Sequence, residues 1–154
     1  MRLIFAPKIE ATLIDRRITE DDIRKVIEFA EASRTLFINR SSGHNLASLI
    51  IGTATYWVEY GREADSFAIY GAYTHRMKIS QELVESPKLS RRSETEWSCL
   101  LCDRPLEWAV VKLEYLDQSF ETDALACMPC QRVLVGEELA VGKMAMVEML
   151  LEGK

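Results

Sequence analysis

Two C-x2-C pairs, Cys99/Cys102 and Cys127/Cys130, constrain this chain more than any other feature. They are its only cysteines. Each pair can offer two sulfurs from one tight turn, and the chain between them must bring the turns together. That is the ligand set of a four-thiolate metal site. The usual separation is about 15–20 residues. Here residues 103–126 intervene, 24 in all, which suits a longer hairpin. Four thiolates at tetrahedral distance suit Zn2+ first and Fe2+/Fe3+ second. The residue after the second cysteine of such a turn often needs positive φ, which favours glycine. Asp103 and Gln131 hold those places. Asp tolerates the left-handed conformation moderately well and Gln less so.

Three chemistries compete for these thiols: a structural zinc site, an iron site that carries an electron, and metal-free dithiol chemistry. The Cys-Met-Pro-Cys sequence puts Pro129 where some thioredoxin-like motifs have it. That motif needs a preceding strand and a helix starting at the cysteines, whereas residues 131–138 read as a short strand and turn. The start of the chain does not read as a secretory leader. The expectation is therefore a cytoplasmic chain in which paired C-x2-C means metal rather than disulfides.

Charge narrows the partners. With 24 acidic and 19 basic residues, net charge is −5, and a filled four-thiolate zinc site adds about two more negative charges. Such a chain is a poor binder of phosphate backbones, so no nucleic-acid partner is expected. Its basic clusters, Arg16-Arg17 and Lys88 to Arg92, are short. No apolar run approaches the ~18–20 residues needed to span a membrane.

Residues 19–33 have helical spacing, with Ile23, Val26, Ile27 and Ala30 on one face. Thr19 suits the N-cap, Glu20 to Asp22 suit the positive helix end, and Ile18 with Ile23 can form a hydrophobic staple. Ser33 and Arg34 mark the end. Residues 35–38, 46–51, 53–60 and 66–79 are rich in β-branched and aromatic residues and read as strands. Gly71 interrupts the last run and predicts a bulge or bend. Short connections favour an antiparallel meander. Residues 80–96 are polar and read as a linker, with room for a helical turn at Glu82 to Glu85. Residues 107–115 alternate, with Ala109, Val111, Leu113 and Tyr115 facing one way. Residues 119–126 return as their partner around a turn at Asp117 and Gln118, and residues 132–135 can add a third strand. A tail helix over 137–152 carries a stripe of Leu139, Met144, Val147, Leu150 and Leu151, widened by Met146 and Met149. It is expected to pack on the rest of the protein.

The expected fold is therefore α+β. A helix packs on an antiparallel meander over residues 1–90, and a zinc-ribbon-like module with a terminal helix follows over 96–154. Outside the cysteines no catalytic residue stands out; P-loop, dinucleotide-binding and hydrolase motifs are missing. His44 and His75 lack ligand spacing and read as structural. Tyr56, Trp57, Tyr73 and His75 lie in an aromatic-rich region that could line a ligand or partner groove, although aromatics on strands more often form core and cross-strand pairs.

The segments CMPCQRVLVGEELAVGKMAMVEMLLEGK and TYWVEYGREADSFAIYGAYTHRM resemble a family of small proteins of anaerobic bacteria that end in a double C-x2-C module and are described as redox proteins. The resemblance covers most of the chain and transfers only Cys99, Cys102, Cys127 and Cys130 as functional positions. It implies a cytosolic accessory protein with a protein partner, an oxidoreductase system being the natural one.

Overall fold

The structure, a computed structural model, describes residues 1–85 and 95–153, and for 81–85 the backbone alone. β1 (Arg2–Phe5) leads into helices α1 (Pro7–Asp15) and α2 (Glu20–Ser33). There follow β2 (Leu36–Asn39), β3 (Asn45–Ile51), β4 (Ala54–Glu63), β5 (Ser66–His75) and β6 (Lys78–Glu85). The later part holds β7 (Trp97–Cys99), β8 (Arg104–Pro105), β9 (Glu107–Tyr115), β10 (Gln118–Cys127) and β11 (Arg132–Leu134). A π-helical segment, Leu139–Met144, then runs into α3 (Ala145–Leu151). The strands form two sheets, in the orders β1-β5-β4-β3-β2-β7-β8 and β11-β10-β9-β6.

α2 begins as its sequence requires. Asp22 N–H donates to Thr19 Oγ1, and Thr19 N–H donates to the Asp22 carboxylate, a reciprocal capping box. It ends at Arg34, which adopts the left-handed conformation at φ 61°. Its face of Ile23, Val26, Ile27 and Ala30 is fully buried against Ala47, Val58 and Tyr60 of the first sheet. α1 is a second helix where one was expected. It is short, starts on Pro7 and fully buries only Leu13, so its pattern is faint.

Side-chain alternation in the first sheet builds three layers. Leu36, Ala47, Val58 and Ala72 face the helices, while Phe37, Leu46, Trp57 and Tyr73 face the second sheet. Neighbours from β2 to β5 are antiparallel. β1 corrects the pure meander, because it lies parallel to β5 at the sheet edge. The register passes from Glu59–Gly71 to Tyr60–Ile69, so Tyr70 bulges beside Gly71.

The sheets exchange strands at the polar stretch. The run over 66–79 breaks at Arg76 and Met77; β5 stays in the first sheet and β6 joins the second, beside β9. Glu82 to Glu85 are therefore strand backbone, not a helical turn: pairing with β9 overrides a weak local preference. The rest of the expected linker, 86–94, lies outside the described residues. β7 then returns to the first sheet beside β2. In β9, Ala109, Val111 and Leu113 are buried and Lys112 and Glu114 exposed, as their alternation requires. Its turn sits one residue earlier than expected, on Leu116 and Asp117 at φ 47° and 65°, the double-positive pattern of a tight hairpin.

The tail departs most from its pattern. Ala140 and Met144 are buried, but Leu150, Met146 and Met149 are 71%, 62% and 52% exposed, while Glu148 is only 3% exposed. The wide π turn shifts the phase of everything after it. Glu148, four residues after buried Met144, faces inward, where its carboxylate accepts the backbone N–H groups of Arg76 at 2.6 Å and Met77 at 2.8 Å. No helix among the described residues is long and apolar enough to cross a membrane.

Candidate metal centre

Each cysteine pair sits on its own hairpin, and the hairpins belong to different sheets. Cys99 ends β7, where it is paired with Phe37 of β2. The turn after it is fastened by Leu100 N–H donating to Leu36 O and by Leu106 N–H donating to Trp97 O. Cys127 ends β10, opposite Arg132 of β11, and Gln131 N–H donates back to Cys127 O at 2.7 Å. Asp103 and Gln131 both take positive φ, 52° and 62°. Both positions thus take the left-handed conformation expected after the second cysteine of such a turn, although neither is glycine.

The four Sγ atoms lie within 4.8 Å of one another, and Cys99 Sγ stands 3.8 Å from Cys130 Sγ. A regular tetrahedron with Zn–S bonds of about 2.3 Å has edges of about 3.8 Å. The donor set and its spacing therefore fit a four-thiolate metal ion. Cys99 and Cys127 are buried, Cys102 and Cys130 half-buried. Trp97 and Met128 pack against the same apolar cluster. Burial pushes the Cys127 thiol up. Cys130 is pulled the other way: burial opposes its ionisation, but the N–H of Arg132 and hydrogen bonds from the other three thiols outweigh it.

The aromatic candidates divide between layers. Trp57, Tyr73 and His75 are buried between the sheets at 1–3% exposure. Trp57 is stacked between Phe37 and Tyr73, with ring centroids 6.4 and 6.3 Å away. Its indole N–H donates to His75 Nε2 at 3.0 Å, and Tyr73 OH donates to Val135 O at 2.7 Å. Tyr56 is half-buried on the helix side. The four do not form one open surface; Trp57 borders a cleft. His44 does not meet His75; it stacks on Tyr70 and bonds Glu59. Glu148 escaped the sequence reading. Its signal was a carboxylate four residues after the buried Met144, on the face that the tail buries.

Residues 95–154 match a family described as a domain of unknown function (DUF7479). No curated protein and no solved structure matches the chain.

Proposed function

We propose that Cys99, Cys102, Cys127 and Cys130 hold Zn2+, and that the chain is a cytoplasmic accessory protein whose metal is structural. The convergence of four sulfurs to within 4.8 Å carries this reading. The ion supplies a cross-link between two hairpins that share no strand pairing. With both knuckles on strand ends and the β9–β10 hairpin between them, the later part is read as a zinc ribbon whose first knuckle is lent to the neighbouring sheet. Half-exposed Cys102 and Cys130 would lie at the rim of the centre, and Cys99 and Cys127 beneath it. The resemblance to small redox proteins of anaerobic bacteria supports an oxidoreductase as the protein partner.

A second reading keeps the same ligands. Iron in this site would exchange one electron, and the exposure of Cys102 and Cys130 would bring that electron close to solvent. Elemental analysis with a visible spectrum of protein purified without oxygen separates the two. One zinc per chain without a visible band is the expected result. One iron per chain with thiolate charge-transfer bands would replace the first reading by the second, and four titratable thiols without metal would remove both.

A further inference from the structure

The two cysteine turns repeat one arrangement. In each, an arginine lies two residues past the second cysteine: Cys-Leu-Leu-Cys-Asp-Arg over 99–104 and Cys-Met-Pro-Cys-Gln-Arg over 127–132. The strand register is also the same. Arg104 of β8 stands opposite Cys99 of β7, and Arg132 of β11 stands opposite Cys127 of β10. Directly opposed residues of an antiparallel pair project from the same face, with Cβ atoms about 5 Å apart. Each arginine therefore leaves its hairpin on the side from which a sulfur is presented.

Both arginines are exposed, and neither has an ion pair among the described residues. They are free cations in a chain with 24 acidic and 19 basic residues. Asp103 is the one acidic residue between the first cysteine of either turn and its arginine. A single exposed arginine at a strand end needs no function. The same arginine at the same register, in turns that belong to different sheets, points to what the turns share, which is the cluster of four sulfurs. Four thiolates outweigh a divalent ion by two negative charges. That excess lies close enough to both side chains to be felt, since fields reach about 8 Å at physiological salt.

We infer that Arg104 and Arg132 are positioning residues of the cysteine centre, whose charges offset the negative excess created by metal binding and so tighten the hold on the ion. They act across space, through the thiolates, and are not ligands. Asp103 works against its neighbour Arg104, so Arg132 carries the larger effect. The inference rests on the reading that the four cysteines hold a divalent ion.

The test is the zinc affinity of the full chain, measured by competition with a chromophoric chelator under reducing conditions. Arg104→Met and Arg132→Met keep an unbranched apolar stem and remove the charge. At ~0.01 M salt, where the screening length is about 30 Å, the double variant should bind zinc about tenfold more weakly than the parent. Arg132→Met should supply the larger share. At ~1 M salt, where the screening length is about 3 Å, most of the difference should vanish. Arg104→Lys combined with Arg132→Lys should restore the parent affinity, and Asp103→Asn should tighten binding. Lys143→Met, on the tail, should change nothing. Parent affinity in the double methionine variant at low salt, a loss that salt leaves unchanged, or an equal loss with lysine would each overturn the inference while leaving the zinc reading in place. A parent chain that holds no zinc would overturn both.

Discussion

His75 spends both ring nitrogens on internal partners. Nδ1–H donates to Met77 O at 2.9 Å, and Nε2 accepts from Trp57. A carbonyl can only accept, which fixes the neutral tautomer, and a second proton would displace the indole. Burial accordingly lowers its pKa from 6.5 to about 4, against a smaller opposing effect of the Met77 carbonyl. The unfolded chain therefore takes up this proton first as pH falls. The contribution of His75 is complete above about pH 6.5 and is lost between there and about pH 4, amounting to as much as ~3 kcal/mol. Acid also releases metal from thiolates, so the useful comparison is with His75→Gln, which keeps one donor and one acceptor. Urea unfolding at pH 7 and pH 5 should show a smaller pH effect in the variant; equal effects would remove His75 as the cause. At this scale the convergence of the four cysteines was legible, because the two C-x2-C spacings are local properties. The positive φ at Asp103 and Gln131 is what that place in a C-x2-C turn often needs, though neither residue type announces it. The burial of His75 was not, since it depends on a sheet that arrives from later in the chain.

Among the elements, the tail shows where periodicity fails. Residues Leu139–Met144 form a π segment, so a stripe drawn from Leu139 at 3.6 residues per turn places Leu150 inward when it is exposed. Four residues after buried Met144, Glu148 reaches the point where the chain leaves β5 for β6. There it satisfies two backbone donors and pairs with Arg76 at 3.4 Å, while Glu152 takes the other side of that guanidinium at 2.7 Å. Glu148→Ala would leave two N–H groups unbonded in a buried place and should cost roughly 3 kcal/mol. Glu148→Gln, which can still accept, should cost less. Denaturant midpoints give the ranking, and faster amide exchange at Arg76 and Met77 in the alanine variant would identify the cause. A Glu148→Ala protein as stable as the parent would show that water replaces the carboxylate. α2 was legible in full, because its cap, its acidic first turn and its apolar face agree. α1 and β1 were not: one fully buried residue in the first and four residues in the second leave little pattern to read.

Across the whole molecule, the two sheets share an apolar layer, and a metal bound as proposed at the cysteine cluster would tie them together, since its hairpins come one from each sheet. Chelation should therefore loosen more than the cysteine turns. Hydrogen exchange should accelerate through residues 97–135 and also in β2, whose outer neighbour is β7. Protection that survives complete metal removal would show that the ion is not structural. Composition and strand patterning were enough to read a helix-covered sheet followed by a second β unit. They could not reveal that β6 and β7 change sides, because pairing partners are chosen by the sheet and not by the strand's own residues. That exchange has a consequence during synthesis. A ribosome that has released the chain only as far as β6 has produced a strand without its neighbour and a β2 with one bare edge. β6 waits for β9, some thirty residues downstream, and β2 for β7. Translation speed across this interval sets how long two open edges face the crowded cell, where unpaired strands recruit other chains. The stretch is polar, with four serines, Lys88, Arg91 and Arg92 between Ser80 and Glu96, a composition that discourages such recruitment while the partners are still being made.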